Sequence, residues 1–354
     1  VTAGRLAVSV GCPCGIGPEV SVAAAAVERK ARVALVGDLG ALREAAKGRG
    51  VDPERLTPVT ALGEAWELRG RRIAVWQPGR DLAERDRRPG HPTRASGAAQ
   101  LAWIDAACDA VAAGDADAMV TGPVSKEAIV RSAAPGAKDF LGHTEHLQRR
   151  LRSREVVMAF WSPALVTALA TTHVPLARVP REVTGAAVAR AAYWLAWLLG
   201  GLGAKAPRVA VASLNPHAGE GGLLGVEERT RIVPGIAAAR RRAKRDGVRG
   251  SIEGPIPAET AFRLAGGKRW DGVVAMYHDQ ATIPMKLAEF GEAVNVSLGL
   301  PIVRTSVDHG TAYDRAGTWT ADPQGMRSAI ALAARLAARS GAPLRVAARS
   351  GSSR

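Results

Sequence analysis

Three observations predict an α/β fold with largely parallel sheets. Apolar runs of strand length alternate with Ala-rich helical segments along the whole chain. Several of those runs end directly in a glycine turn followed by a helix start, as where residues 6–10 enter GCPCGIGPEV. The length, 354 residues, suits two domains at roughly 150 residues each.

Taken in order, residues 6–10 read as the first strand. Gly15 and Gly17 supply the turn after it, Pro18 suits the first turn of the next helix, and Glu19 complements that helix's positive end. Residues 32–36 and 73–76 read as the second and third strands, and a polar loop fills 77–94. Ser96 is placed to cap a helix that turns Leu101, Ile104 and Val111 inward. Residues 118–120 then lead into TGPVSKEAI, where Lys126 reads equally as a functional cation or an ordinary first-turn lysine. Gly142, His143 and Thr144 open another helix. A His and a Thr at a helix start suit a phosphate, which would meet side chains and free N–H groups together; plain capping by Thr144 is the alternative.

Three later strands share one pattern. Residues 165–170 end in TTHVP with His173, 208–213 in LNPH with His217, and 272–276 in YHD with His278. Strand ends in a parallel sheet lie along one edge, so the three imidazoles are expected to converge on one metal. Helices are expected at 182–199, at 226–245, from about residue 258, and at 324–339, followed by a flexible tail at 346–354. The glycines of HAGEGGLLG let backbone approach a ligand or tolerate positive φ, and they do not make a Rossmann fingerprint. The segment 271–317 carries the densest chemistry: a His beside a carboxylate, a Lys, an Asn, an Arg and a glycine-bearing turn.

The formal charge of +15 is spread thinly. Its densest cluster, Arg240, Arg241, Arg242, Lys244 and Arg245, sits at a helix end, where cations complement the carbonyls. No basic stretch is interleaved with aromatics, so nucleic acid is not an expected partner. Cys12, Cys14 and Cys108 form no disulfide framework or zinc-finger spacing, and no secretory segment is visible, so a cytoplasmic protein is expected. Residues 191–204 are uncharged but too short to span a bilayer, and read as a buried or interface helix.

The motifs GIGPEV, VTGPVSKEAI, GHTEHL, TTHVPL, LNPHAGEGG, GPIPAETAF, AMYHDQ, VNVSLGLPIVRTSVDHGTA and ADP occur in that order. Over roughly residues 6–340 the chain resembles the 4-hydroxythreonine-4-phosphate dehydrogenase family of pyridoxal phosphate (pyridoxine) biosynthesis. The resemblance implies a two-domain fold of the isocitrate and isopropylmalate dehydrogenase type, with an active-site cleft between domains. One domain is then 1–130 plus 300–345 and carries the cofactor loop; the other is 131–299 and carries the metal, substrate and dimer surfaces. It implies a homodimer whose sites draw metal histidines from both subunits.

Residue by residue, the resemblance implies metal ligands His173, His217 and His278 and substrate contacts His143, Thr144, Lys286, Asn295 and Arg304. NAD contacts are expected at Gly219, Gly221, His309, Gly310 and Asp314, and the base at Asp279 or Lys286. The implied reaction is NAD-dependent oxidation of 4-phosphohydroxy-L-threonine to a 3-oxo acid that loses carbon dioxide. All-imidazole ligation favours zinc, cobalt or nickel over magnesium. Cys12 replaces a usual Asp or Glu, Cys14 an Ala, Ser125 an Asn, Glu259 an Asp, Ala281 a Gly and Trp319 a Gly. The changes near the substrate raise a phosphorylated four-carbon sugar acid (erythronate or threonate 4-phosphate) as alternative, and Trp319 bears on NAD against NADP. Phosphate acyltransferases share the general fold but need no three-His metal site.

Overall fold

The structure is a computed structural model that describes residues 3–289 and 291–338. Arg339, expected to end the last helix, and the tail at 346–354 lie outside the described residues.

The chain divides into two compact units, Val1–Arg154 with Leu300–Arg354, and Glu155–Gly299. The first boundary therefore falls at Arg154, not at residue 130. In chain order the first unit runs β1 (Arg5–Ser9), α1 (Gly17–Val27), β2 (Arg32–Val36), α2 (Leu39–Gly48), β3 (Leu56–Val59), α3 (Leu62–Ala65), β4 (Ile73–Trp76), α4 (Arg94–Ala113), β5 (Ala118–Thr121), α5 (Lys126–Ser132) and α6 (His143–Arg150). The second contains β6 (Val157–Trp161), β7 (Val166–Leu169), α7 (Val179–Glu182), α8 (Gly185–Gly201), β8 (Arg208–Ala212), α9 (Val233–Arg245), β9 (Ser251–Ile256), α10 (Ala258–Gly266), β10 (Gly272–Ala275), α11 (His278–Ala288) and β11 (Val294–Leu298). The chain then returns to the first unit through β12 (Arg304–Val307) and α12 (Gln324–Ala337).

Strands of the first unit lie in the order β3-β4-β2-β1-β5-β12, and every pairing is parallel. Both faces of β1 are covered: Leu6, Ala7 and Val8 are each 0% exposed. This explains why the strand reads as a continuous apolar run and not as an alternation. Helix α4 begins at Thr93, which forms a capping box with Ser96, so Ser96 is the third residue of the helix and not its cap. The helix ends at Gly114 in the left-handed conformation. Gly97 lets α5 approach, since a Cβ there would lie 2.0 Å from the Ala128 carbonyl oxygen. On the same helix Asp105 holds His146 Nε2 at 2.6 Å and Arg150 at 2.9 Å. These contacts bind residues 131–154 to the first unit and move the boundary.

The second unit has the order β11-β6-β7-β10-β8-β9. Pairs β11–β6 and β6–β7 are antiparallel and the rest parallel. The turn between β6 and β7 is short, closed by Ser162 N–H on the Leu165 carbonyl at 2.9 Å, and a connection that short permits only a hairpin. Phe160, Leu169, Ala210, Val273, Ala275 and Met285 pack the core between strands and helices. The uncharged stretch at 191–204 is a buried helix, α8, with Ala191, Leu195 and Leu198 at 0% exposure. No helix among the described residues is long and apolar enough to cross a membrane.

The basic cluster on α9 is largely engaged within the fold. Arg242 meets Glu155 at 2.5 Å and lies over the Tyr193 ring at 3.8 Å, Arg245 meets Asp246 at 2.8 Å, and Arg240 donates to the Ile252 carbonyl.

Candidate functional site

Three adjacent parallel strands of the second unit, β7, β10 and β8, each lead at their C-terminal ends to one of the candidate metal histidines. The β7 and β10 pairing continues past both strands. Thr171 donates its N–H and hydroxyl to the Met276 carbonyl, the latter at 2.7 Å, so His173 and His278 emerge side by side. Their ring centroids are 5.2 Å apart. Asp279 Oδ1 lies 2.7 Å from His278 Nδ1, which leaves Nε2 facing outward from that pair. A carboxylate on the far ring nitrogen is the usual way to orient a metal-binding imidazole. Gln280 locks the strand ends: its Oε1 accepts the Met276 N–H at 2.6 Å and its Nε2 donates to the Ser213 carbonyl at 2.9 Å.

His217 does not join them. Among the described residues no group of three or more His, Cys, Asp or Glu is gathered to hold a metal ion. The reason is the path after β8. Buried Glu228 accepts the N–H groups of Leu214 and Asn215 and, through its other oxygen, the Asn215 amide. Beyond that anchor, residues 217–221 all have positive φ, which carries the chain around a left-handed turn. His217 stands on that turn with its side chain 78% exposed and Nδ1 3.5 Å from Glu220. Gly219 and Gly221 are part of the same turn, at φ +79 and +70. Lys286 is exposed on α11, and Asn295 is half-buried in β11.

Within the first unit a second group of polar residues converges on the N-terminus of α6. The N-cap is Gly142, and no side chain caps the helix; Thr144 is inside the first turn and buried, so it is not the cap. Arg304, 3% exposed at the start of β12, donates Nη2 to the Thr121 hydroxyl at 2.6 Å at the end of β5. Burial lowers the Arg304 pKa to about 9, against a raising influence from Glu145. Burial also holds the His143 imidazole well below its ordinary pKa, helped by the charges of Arg304, His146 and Lys126. His143 is thus neutral at physiological pH, and its buried Nε2 has no hydrogen-bond partner. A neutral imidazole with a free nitrogen, a desolvated guanidinium and an uncapped helix start are groups of the kind that can receive an anion.

Residues 308–320 carry the expected cofactor contacts His309, Gly310 and Asp314, all exposed. The segment is fastened to the β1–α1 turn. Ile16 N–H donates to the Thr311 carbonyl at 3.0 Å, and Cys12 Sγ lies 3.3 Å from the Tyr313 hydroxyl. Cys12 and Cys14 are both buried and neither is in a disulfide. Hydrogen bonding from Cys14 lowers the Cys12 pKa, while the same bond and burial push Cys14 up. Trp319, at φ +59, packs against Gly48, where a Cβ would fall 2.3 Å from the indole, and Arg49 donates to the Trp319 carbonyl at 2.7 Å.

Glu19 serves this segment as well as its own helix end. It is 1% exposed, accepts the Ala321 N–H at 2.8 Å through Oε1, and its Oε2 has no partner. Burial raises its pKa above the ordinary carboxylate value, outweighing Ala321, Arg49 and Trp319. A carboxyl whose folded pKa is raised contributes stability below its unfolded pKa and loses it as pH rises through the folded one. Glu19→Gln, which keeps the acceptor for Ala321, is therefore expected to gain stability relative to the wild type as pH rises from 4 toward 7. Melting curves across that range check the sign; a variant that loses ground with rising pH would contradict it.

Sequence reasoning missed Glu228, Gln280 and Thr121, which position candidate residues. Glu228 had a signal, an acid at the start of a helix following a strand; Thr121 and Gln280 lie inside the motifs VTGPVSKEAI and AMYHDQ, where residue type alone gave them no positioning role.

A family model described as "Pyridoxal phosphate biosynthetic protein PdxA" matches residues 29–333. A curated 4-hydroxythreonine-4-phosphate dehydrogenase from Desulfosudis oleivorans is 41% identical over 332 residues, 93% of this chain and 94% of its own length. Among solved structures, a 4-hydroxythreonine-4-phosphate dehydrogenase from Klebsiella pneumoniae aligns with 95% of this chain and 100% of its own, at a TM-score of 0.81 and 31% identity. A terephthalate 1,2-cis-dihydrodiol dehydrogenase from Burkholderia xenovorans LB400 aligns with 94% and 98%, at 0.66 and 30%.

Proposed function

Because the chain belongs to the PdxA family of pyridoxal phosphate biosynthetic proteins and is an oxidoreductase of the dehydrogenase type, we propose that it oxidises 4-phosphohydroxy-L-threonine with NAD and a divalent metal. The product is a 3-oxo acid that loses carbon dioxide. The observation that carries this reading is the pairing of His173 with His278 at 5.2 Å, with Asp279 on the second ring's Nδ1.

These residues fit a divalent metal: two imidazoles emerge together, one already oriented by a carboxylate. His173 and His278 would hold it, with His217 as third ligand. The exposure of His217 on its projecting turn suits donation to a second copy of the chain, in a homodimer. Imidazole donors favour zinc, cobalt or nickel over magnesium. When bound, the metal supplies Lewis acidity that lowers the pKa of the substrate hydroxyl.

The chain's own residues do the rest. His143, Thr144 and Arg304 take the phosphate, with Lys286 and Asn295 as the further substrate contacts. Asp279, 70% exposed beside His278, or Lys286 receives the hydroxyl proton. His309, Gly310 and Asp314, on the segment fastened by Tyr313 and Trp319, meet NAD, and Gly219 and Gly221 offer backbone to it. The three free, buried thiols agree with a reducing compartment, the cytoplasm.

A second reading, oxidation of erythronate or threonate 4-phosphate, is favoured by Cys12, a buried thiol where the family usually has Asp or Glu. The relative from Burkholderia xenovorans also carries a different substrate in its name. Initial rates of NADH formation on all three phosphorylated acids decide between them. The highest kcat/KM is expected for 4-phosphohydroxy-L-threonine; a sugar acid phosphate as best substrate selects the second reading, and no turnover on any of them defeats both.

A further inference from the structure

Lys126 is a motif residue that none of the assignments above uses. It opens α5 directly after Ser125, whose hydroxyl caps that helix by accepting the Ala128 N–H. Its side chain is exposed, and it forms no ion pair among the described residues. Its tip nevertheless has a defined place. A Cβ built on Gly142 would lie 3.6 Å from both Cε and Nζ of Lys126 and 3.0 Å from Glu145 Oε2. The ammonium and the carboxylate therefore approach the same point over Gly142, and a side chain at residue 142 would push at least one of them away. Gly142 is the uncapped N-cap of α6, and His143, with its unpartnered Nε2, follows it. Lys126 is also close enough to His143 that its charge, like that of Arg304, disfavours charge on the imidazole.

Positive charge thus reaches the α6 N-terminus from two elements, β12 through Arg304 and α5 through Lys126. Glu145 is the half-buried carboxylate near both. An ordinary first-turn lysine would extend into solvent, where its charge opposes the positive helix end that carries it. This one leans over a neighbouring helix start instead. We propose that Lys126 is a further binding residue for the phosphate of the substrate, completing with His143 and Arg304 a cradle in which Glu145 is the counter-charge when no anion is bound. The assignment rests on the phosphorylated-substrate reading for its physiological ligand. The cradle itself is testable with inorganic phosphate.

The experiment is calorimetric titration of the full chain with inorganic phosphate, for the wild type, Lys126→Met, Lys126→Arg and Glu145→Gln, alongside KM for the phosphorylated substrate. Lys126→Met is expected to weaken phosphate binding on the order of tenfold, the scale of one charge-assisted contact. Lys126→Arg should keep most of the affinity, and Glu145→Gln should tighten binding by removing a competing carboxylate. Lys126 is exposed, so melting temperatures of its variants should match the wild type and exclude misfolding as the cause. Phosphate affinity in Lys126→Met equal to the wild type, or no phosphate binding by the wild type, overturns the proposal. If the wild type and variants differ in phosphate affinity as expected but no phosphorylated hydroxy acid is oxidised, the dehydrogenase reading falls and the cradle stands. If the wild type oxidises the substrate and Lys126→Met leaves both KM and phosphate affinity unchanged, Lys126 falls and the reading stands.

Discussion

Replacing His278 with alanine is expected to lower NADH formation by on the order of a thousandfold or more and to strip the protein of its divalent metal. His278 is the residue on which two independent features meet. Continued pairing beyond β7 and β10 brings it to 5.2 Å from His173, and Asp279 fixes its ring through Nδ1. Asp279→Asn should have a smaller effect, about 10-fold to 100-fold in metal affinity, because it alters the orientation and basicity of a ligand without removing it. The graded series, read by metal analysis of the purified protein and by initial rates, separates a metal ligand from a core histidine. A core histidine would show no ordered loss of metal and would be insensitive to Asp279→Asn. The fold should survive both changes, since the His278 side chain is 35% exposed and Asp279 70% exposed.

Arg304→Met is expected to weaken function without lowering stability. Arg304 is 3% exposed, its guanidinium donates to Thr121 at 2.6 Å, and it is desolvated enough that its pKa falls to about 9. Removing it should cost about 2–5 kcal/mol of binding to the phosphorylated substrate, the usual loss when one partner of a buried charged contact is truncated. The same change removes a charge that is expensive to bury. An apolar side chain of similar volume should therefore leave the melting temperature equal or higher. Arg304→Lys should not rescue binding fully, because a point charge cannot fork onto two phosphate oxygens. Steady-state kinetics and thermal melts on the same preparations test both halves. A variant that loses stability while keeping kcat/KM would assign Arg304 to the core and not to the substrate.

Strands buried on both faces were legible because burial leaves its mark as an unbroken apolar run. Thus β2 and β4 fall at 32–36 and 73–76 as read from sequence. Edge and polar strands were not legible. The sequence of β9, SIEGPI, contains a Glu, a Gly and a Pro, pairs on one side only, and shifts register between Ala210 and Ala212 of β8. The polar strand β12, RTSV, is buried throughout. Its polar groups have partners: Arg304 is held by Thr121, and Thr305 donates to the Ala329 carbonyl at 2.9 Å.

The candidate site divides in the same way. That three histidines follow three strands could be read directly, and the strands are neighbours, β7-β10-β8. That His217 is carried off by a left-handed turn could not be read, because residues 217, 218 and 220 are not glycine and have no local preference for positive φ. The anchor for that detour, Glu228, acts across the chain on Leu214 and Asn215. Lys126 shows the converse. Its sequence position left two readings open, and the approach of its tip to Gly142 is what supports the proposed one.

The most direct test of the account is simultaneous measurement of NADH and carbon dioxide released from 4-phosphohydroxy-L-threonine, with the protein stripped of metal by chelation and then reloaded with zinc or cobalt. The account predicts no turnover for the stripped protein, and equal amounts of the two products once metal is restored. Undiminished turnover after complete metal removal, or NADH formed without carbon dioxide, would contradict it.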